Sequence, residues 1–356
     1  MSEIEQDLPK YQKVKDYVLS QVHRREISPD DRIPSESELS KLLNVSSITV
    51  RKALAELVNE GVIYRVRGKG SFVARQDAAS DRGSNLVAFV LCGLEMYDSS
   101  YMQIIKGVQS YLGKRGCKLM IEFVENDFDQ ERERIRSLIQ SELRGLLIYS
   151  CDPDSAKSYL KDIRNRSIPF VMLDRFPPEY PVNGIACNNH DGAYEAVEYL
   201  IRQGHRRIGF AAYDYHLTPE VDRYNGYRHA MADASLSPDP EWQYLRKELD
   251  YSKLARQIQD GELTALFCVN DRRALEAIEQ LTQRGIRIPE QVSVMGFDDF
   301  EGSKFAKVAL STVKQHFDVL GYESAKLLFE IEGGSYGYKK MLLPTSLILR
   351  DTVKSV

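Results

Sequence analysis

Short apolar runs alternate with amphipathic segments over about 270 residues, and this alternation constrains the fold more than any other feature. From residue 85 onward, apolar runs such as 86–91 and 145–149 are separated by stretches with helical periodicity. Such alternation predicts parallel sheets covered by helices. Because the stretch is longer than one compact core usually needs, we expect an α/β body of two lobes with a cleft between them.

The predicted strands and helices of the body locate its candidate ligand contacts. Strands are predicted over 86–91, 118–123, 145–149, 169–173, 207–212, 265–269 and 291–297, and helices over 101–115, 131–142, 191–203, 222–234 and 271–284. Ligands in these folds bind beyond the carboxyl ends of the strands. The polar residues that follow strands are therefore candidates, as is Arg223 at a predicted helix start after Thr218-Pro219; they are Asp174, Arg175, Asp214, Asn270, Asp271, Asp298 and Asp299.

These residue types suit a polyhydroxylated ligand. Carboxylates accept hydrogen bonds from hydroxyl groups, arginine donates them, and aromatic rings pack on the apolar faces of a sugar. The chain has 20 Tyr and 13 Phe to supply such rings.

Residues 8–75 differ from the rest of the chain in charge. They carry 13 Lys and Arg against 8 Asp and Glu, whereas residues 76–356 carry 35 against 41. A basic module joined to an acidic body indicates that the module binds a polyanion such as nucleic acid. The small polar segment 76–84 predicts a linker between a domain at 8–75 and a body at 85–356.

Three helices are predicted in the basic module. Apolar periodicity predicts the first over 10–24, Ser35 and Glu38 predict a capping box for the second, and the third runs over 47–60. Because the turn at 44–46 is short, the last two helices form a helix-turn-helix, whose second helix enters the major groove of DNA. The predicted DNA contacts are Lys10 on the first helix and, around the start of the third, Ser46, Ser47, Thr49, Arg51 and Lys52.

A basic hairpin with a glycine-rich tip follows Gly61. Its strands are predicted on either side of Gly68-Lys69-Gly70, and its charged residues are all basic. We expect Arg67, Gly68 and Lys69 to lie along a groove or the phosphate backbone. A plain pair of packed helices and a solvated hairpin are the alternatives, but the order of three helices and a basic wing is more specific than either part. The phosphate-loop reading is disfavoured because the spacing is wrong and no helix follows.

The module resembles the GntR-type winged helix. The resemblance rests on PSESELS at 34–40, VS at 45–46, TVRKAL at 49–54, GVI at 61–63 and RGKGSFV at 67–73, and covers nearly all of 9–75. It implies a small α+β winged helix-turn-helix that contacts operator DNA through the start of the third helix and the wing tip. The chain departs from the family at Ser47, where arginine is common, and at Ile48, where threonine is common.

The body resembles the effector domain of the LacI/GalR repressors, which shares its fold with periplasmic sugar-binding proteins. The motifs are IPFVMLDR at 168–175, NNHDGA at 188–193, GHRRIGF at 204–210, RYNGY at 223–227, TALFCVND at 264–271, VSVMGFDD at 292–299 and STVKQ at 311–315. The resemblance implies that Arg223, Asn270 and Asp298 hold the effector. Further candidates are Tyr101, Asp174, Arg175, Gln315 and Tyr251, the last with a surface helix position as its alternative.

Other features bear on location and on catalysis. The five cysteines form no C-x-x-C pair, the first ten residues are acidic and polar, and no apolar run approaches a membrane span, so a cytoplasmic protein is expected. The six histidines lack metal-binding spacing, and we expect no metal and no cofactor. Asp298 and Asp299 could form a catalytic pair, but neighbours on an extended chain point in opposite directions.

Together the two resemblances imply a dimeric repressor of carbohydrate genes that a sugar releases from a palindromic operator. This domain pairing resembles that of arabinose repressors, which makes L-arabinose one candidate effector. An activator, a sugar-binding protein whose basic module serves another purpose, and, less favoured, a sugar-acting enzyme remain as alternatives.

Overall fold

The computed structural model describes residues 10–23, 27, 31–59, 62–66, 70–73, 84–93, 99–177, 179–213, 217–245, 248–304, 308–332 and 337–356. The chain forms two compact units, Met1–Gly83 and Ser84–Val356, called here the head and the body. Among the helices of the described ranges, none has both the length and the apolar character of a membrane span.

The head is a winged helix-turn-helix, as its sequence predicts. Its elements are α1 (Lys10–His23), α2 (Glu36–Leu43), α3 (Ser47–Asn59), β1 (Ile63–Val66) and β2 (Gly70–Val73). The two strands pair in antiparallel register, with Ile63 opposite Val73. The core consists of side chains from all three helices and both strands; they include Val14, Val18, Leu39, Val50, Leu54, Leu57, Ile63 and Val73.

Local chemistry sets the helix boundaries of the head. The Ser35 hydroxyl accepts from Glu38 N, and the Glu38 carboxylate accepts from Ser35 N, so the predicted capping box is present. Asn44 adopts left-handed φ and ψ of 51° each, which ends α2 and allows the short turn into α3. The predicted helix end at Gly61 lies outside the described residues.

The body alternates strands and helices along the chain. The elements are β3 (Leu86–Gly93), α4 (Ser99–Gly113), β4 (Lys118–Glu125), α5 (Phe128–Leu138), β5 (Gly145–Tyr149), α6 (Pro153–Asn165), β6 (Phe170–Leu173), β7 (Gly184–Cys187), α7 (Asn189–Arg202), β8 (Ile208–Ala212), α8 (Thr218–Asp233), β9 (Gln243–Leu245), α9 (Tyr251–Gln259), β10 (Ala265–Cys268), α10 (Asp271–Gln283), β11 (Ser293–Asp298), α11 (Glu301–Lys304), β12 (Ser311–Lys314), α12 (Phe317–Glu332), β13 (Lys340–Leu343) and β14 (Ser346–Ile348).

Two six-stranded sheets define the two lobes of the body. The first sheet has the order β13-β7-β6-β5-β3-β4 and is parallel throughout. The second has the order β14-β12-β11-β10-β8-β9 and is parallel except for β14. Buried apolar side chains pack on both faces of each sheet. The predicted two-lobed α/β body is therefore confirmed.

The chain passes between the lobes three times. It leaves the first lobe after β7, returns after β12 to form α12 and β13, and leaves again before β14. Three parallel connections can act as a hinge between two otherwise separate cores.

Two of the predicted helix starts lie three or four residues from the observed ones. Helix α8 begins at Thr218 with Pro219 in its first turn, so Arg223 lies in the second turn and does not start the helix. Helix α5 begins at Phe128, where the Asp127 carboxylate caps two backbone N–H groups, and not at Glu131. The elements that were not predicted are helices α6, α9, α11 and α12 and strands β7, β9, β12, β13 and β14.

Candidate functional site

The start of α3 presents hydroxyl and basic side chains at the surface of the head. Ser46 and Ser47 are exposed, and Thr49 is half-buried. The Ser46 hydroxyl accepts from Thr49 N at 3.2 Å and lies 2.8 Å from the Thr49 hydroxyl, so it caps the helix. Ser46 thus positions the first turn of α3, and Ser47 is the exposed hydroxyl beside it.

A single carboxylate brings together two arginines of the head. Glu36 accepts from Arg51 Nε at 2.9 Å and from Arg65 Nη2 at 3.2 Å. Arg51 belongs to α3 and Arg65 to the wing strand β1, and both side chains are substantially exposed. Exposed ion pairs of this kind add little stability, but they can orient guanidinium groups toward phosphates.

Lys52 lies on the other side of the same helix face. Its ammonium is 4.3 Å from the centre of the Tyr11 ring in α1. The predicted wing contacts Arg67, Gly68 and Lys69 lie outside the described residues, as does the side chain of Lys10. Arg65 is a basic wing residue that the described strand places beside Arg51.

A cavity of about 390 Å³ lies between the two lobes of the body. Seven of the eight predicted effector contacts line it: Tyr101, Asp174, Arg175, Arg223, Asn270, Asp298 and Gln315. They come from both lobes, and most follow the carboxyl ends of strands. Asp214 lies outside the described residues.

Arg223 is buried and held from several directions. Its Nε donates to Asn189 Oδ1 at 2.8 Å, its Nη1 donates to Val269 O at 2.7 Å, and its Nη2 lies 3.3 Å from Asp298 Oδ1. The guanidinium also lies 3.9 Å from the centre of the Phe297 ring. A guanidinium fixed in this way presents a pre-oriented donor to a ligand.

Asp174 and Tyr149 form the corresponding polar group of the first lobe. Tyr149 OH donates to Asp174 Oδ2 at 3.1 Å, and Asp174 Oδ1 is buried without a hydrogen-bond partner. Burial, opposed by Arg175 and reinforced by Asp174, raises the pKa of Tyr149 well above its ordinary value, so its hydroxyl remains a donor. Asp174 has a positive φ of 59°, a strained backbone geometry typical of ligand sites.

The side chains of Asp298 and Asp299 have different partners. Asp298 lines the cavity and accepts from Gln315 Nε2 at 2.7 Å, which leaves the buried Gln315 Oε1 without a partner. Asp299 instead pairs with Arg350 at 2.5 Å and with Lys304 at 3.8 Å. The two carboxylates therefore do not converge on one point.

Asn270 joins the cavity to the start of α10. Its Oδ1 accepts from Arg273 N at 2.9 Å and caps the helix. The next residue, Asp271, is fully buried and accepts from Thr312 Oγ1 and Phe300 N. Burial, reinforced by the charge of Asp298, raises the pKa of Asp271 to about 8. Phe300 lines the cavity, so Asp271 holds part of the cavity wall in place.

Tyr251 does not belong to this cavity. It is the first residue of α9, is only 7% exposed, and packs in the core of the second lobe. The prediction that Tyr251 contacts the effector is therefore wrong, and so is the alternative that it is a surface aromatic residue. Tyr149, Glu220 and Phe300 also line the cavity, although they are not among the predicted contacts. Tyr149 ends a predicted strand, and that position could have identified it.

One group outside the cavity has potential metal ligands. Ligand atoms of Cys92, Glu131 and Cys151 lie within 4.8 Å of one another, and all three residues are buried. The Glu131 carboxylate accepts from Cys151 N at 2.8 Å, from Cys151 Sγ at 3.0 Å and from Tyr159 OH. Because these donors already satisfy the carboxylate, the group is explained as a buried hydrogen-bond network.

Comparisons with known proteins agree with both units. Residues 10–73 match the bacterial regulatory proteins of the gntR family, and residues 197–353 match a periplasmic binding protein-like domain. The chain is 29% identical over 369 residues to an arabinose metabolism transcriptional repressor of Geobacillus stearothermophilus, covering 99% of this chain and all of the relative. It is 31% identical to the HTH-type transcriptional repressor PurR of Haemophilus influenzae strain PittEE, covering 72% and 78%.

This chain belongs to the LacI/GalR-type transcriptional repressors. Its DNA-reading head is of the GntR type. The predicted family and the predicted role in transcription regulation are thereby confirmed.

Solved structures share the fold of this repressor. The regulator CelR in complex with cellobiose matches with a TM-score of 0.67 and 23% identity, covering 90% of this chain and all of that one. The Lac repressor dimer bound to operator and an anti-inducer matches with a TM-score of 0.67 and 24% identity, covering 80% of this chain and all of that one. At these identities the likeness concerns the fold.

Proposed function

We propose that this repressor binds operator DNA through its head and a sugar in the cavity of its body. The observation that carries the proposal is a pair of buried acceptor atoms, Asp174 Oδ1 and Gln315 Oε1, which belong to cavity residues and lack partners. A buried acceptor without a partner costs free energy, and sugar hydroxyls are donors that would satisfy both atoms.

Aromatic and charged groups of the cavity favour the same ligand class. Tyr101 and Tyr149 pack edge to face at 5.8 Å, and Phe317 and Phe300 add apolar surface for the C–H faces of a ring. Asp298 faces the Arg223 guanidinium, so this part of the cavity balances its own charge. We infer a neutral sugar, and the relationship to the arabinose metabolism repressor makes L-arabinose the first one to test.

We propose that two chains pair and read a two-fold symmetric operator, because repressors with one head per chain gain affinity by binding two half-sites. The domain at 8–75, the linker at 76–84 and the body at 85–356, which carries the pairing surface, are part of this proposal. Sedimentation of the full chain at micromolar concentration tests the dimer.

Operator release tests the whole proposal. The full chain first selects operator fragments from a pool of duplexes. These fragments are then titrated with protein in the presence of L-arabinose, other pentoses, hexoses and their phosphates. At least one neutral sugar should weaken operator binding, and the operator should weaken sugar binding by the same factor. If no sugar changes operator affinity, the proposed mechanism is wrong.

Arg51→Ala gives the matching test of the head. It should weaken operator binding about uniformly and lower the salt dependence by roughly one phosphate contact. The sugar affinity of the body should stay unchanged, so sugar binding by the same variant serves as the internal control.

We propose regulation without catalysis. The divergence of Asp298 and Asp299 argues against a paired-carboxylate mechanism, because a glycosidase needs both groups at one bond. Recovery of the sugar unchanged after long incubation supports a sensor, whereas turnover of the sugar supports the enzyme alternative.

A further inference from the structure

Ile48 is a large apolar side chain displayed at the surface of the head. It is the second residue of α3, and 78% of its surface is exposed. An exposed isoleucine contributes nothing to the head's core, which the other face of the helix supplies through Val50, Leu54 and Leu57. Ile48 is therefore free to contact another molecule.

The exposed face of α3 places Ile48 among basic side chains. Ile48, Arg51, Lys52 and Ala55 are all exposed and follow the i, i+3, i+4, i+7 spacing of one helix face. Ile48 lies nearest the helix N-terminus, and Ala55 lies roughly 10 Å further along the axis. The apolar residue thus stands at the leading end of a basic stripe that suits a polyanion.

The two neighbouring cations are drawn to opposite sides of Ile48. Arg51 pairs with Glu36 of α2, and Lys52 lies over the Tyr11 ring of α1. Both long side chains have partners on neighbouring helices, and Ile48 remains exposed. The start of α3 thus presents the apolar Ile48 beside the Ser47 hydroxyl, with the charged side chains of Arg51 and Lys52 one turn further along the helix.

The major groove of DNA offers one kind of apolar group on its base edges, the C5 methyl of thymine. We propose that Ile48 reads sequence by packing against a thymine methyl in each operator half-site, while Arg51 and Lys52 contact phosphates at its sides. This inference rests on the operator binding proposed above. Ile48 is a specificity-determining residue, since phosphate contacts by themselves do not distinguish one sequence from another.

Thymine-to-deoxyuridine replacement tests the contact because it removes only the methyl group. The full chain first selects its operator from a random duplex library. Each thymine of one half-site is then replaced in turn, and affinity is measured by fluorescence anisotropy at one fixed salt concentration. One position should weaken wild-type binding about fourfold, the loss expected for one buried methyl-sized group.

Variants of the same helix face assign the effect to Ile48. Ile48→Ala should bind the thymine and deoxyuridine operators equally at that position, and Ile48→Val should retain part of the difference. Ala55→Ser, on the same stripe two turns away, should retain all of it. Because Ile48 is exposed, none of these variants should change thermal unfolding or binding to an unrelated duplex.

The outcomes separate this inference from the proposed function. The proposed role of Ile48 is wrong, while operator binding stands, if the chain selects an operator but binds every deoxyuridine-substituted operator equally well. The same conclusion follows if deoxyuridine weakens binding by Ile48→Ala as much as it weakens binding by the wild type. If the chain selects no duplex, operator binding fails and the role of Ile48 fails with it.

Discussion

Single residues at the cavity decide what kind of ligand the body can hold. One carboxylate oxygen of Asp174 accepts a hydrogen bond from the Tyr149 hydroxyl, and the amide nitrogen of Gln315 donates one to Asp298. The remaining oxygen of each side chain is buried without a partner. Both atoms accept hydrogen bonds and neither can donate one, so they favour a ligand rich in hydroxyl groups.

Replacing Asp174 with Asn tests this reading. The change keeps the shape of the side chain but removes one of its two carboxylate acceptors and the negative charge. We expect sugar affinity, measured by calorimetry, to fall at least about tenfold, which corresponds to about 1.4 kcal/mol. Operator binding without sugar should not change.

Tyr251→Phe is the matched control for the cavity. Tyr251 packs in the core of the second lobe and does not line the cavity, so removing its hydroxyl should leave sugar affinity unchanged. A clear loss of sugar binding would contradict the position that the structure gives to this residue.

Asp271 should make the stability of the second lobe depend on pH. Its pKa rises from 3.8 to about 8 on folding, so the native state holds a proton that the unfolded state has released. The contribution of Asp271 to stability is therefore fully present below about pH 4 and is lost as the pH rises through about 8. Between pH 6 and 8.5, the wild type should lose roughly 1–3 kcal/mol more than Asp271→Asn.

The single tryptophan provides the probe for this measurement. Trp242 packs against the core of the second lobe, so its fluorescence follows urea unfolding of that lobe. Asn at position 271 can keep both hydrogen bonds, because the Thr312 hydroxyl can reverse its role. Equal pH profiles for the two proteins would show that the native state does not retain the proton.

At the scale of elements, helices α4 and α12 of the first lobe pack with their backbones in close contact. A Cβ on Gly107 of α4 would lie 2.0 Å from Asp318 O, and one on Gly321 of α12 would lie 2.1 Å from Ile104 O. The two glycines face each other across the helix pair. This packing attaches α12, which arrives late in the chain, to the first lobe.

Gly107→Ala should separate these helices. The added methyl meets backbone atoms that cannot turn away, and overpacking of this kind costs about 1–3 kcal/mol. Urea unfolding followed by circular dichroism measures the loss. Gly113→Ala, at the end of the same helix, meets nothing within 4 Å and should be neutral or slightly stabilising. Equal effects of the two substitutions would contradict the close packing.

Across the whole body, two cores are joined by three chain segments with the cavity between them. Arg223 and Asp298 stand in the second lobe, and Asp174 and Tyr149 stand in the first. A ligand that bonds to both groups stabilises the closed arrangement of the lobes in preference to an open one. We propose that a sugar acts on DNA binding through this lobe closure.

Small-angle scattering should detect this closure. Saturating the full chain with a sugar that releases the operator should reduce the radius of gyration, whereas Asp174→Asn should need at least about tenfold more of the same sugar for the same reduction. A sugar that binds and releases the operator without any change in scattering would point to a mechanism other than closure.

The capping box, the short turn at Asn44 and the strand-helix alternation are local patterns, and from them the sequence predicts the winged head and the two-lobed body. Four helices and five strands of the body were not predicted, because short elements carry little local pattern and the longer ones depend on partners distant in the chain. The apolar face of α12, for example, is buried against α4 and the first sheet, which come mostly from earlier parts of the chain.

Sequence alone determined the two kinds of domain, their order and the residue types of the cavity, because periodicity, turn chemistry and positions after strands are properties of neighbouring residues. Only the tertiary structure decided which candidates meet. It placed Asp298 in the cavity and Asp299 on Arg350, buried Tyr251 in a core, and left Asp174 Oδ1 and Gln315 Oε1 without partners. These outcomes depend on side-chain direction and on packing between segments far apart in the chain, which local sequence patterns do not encode.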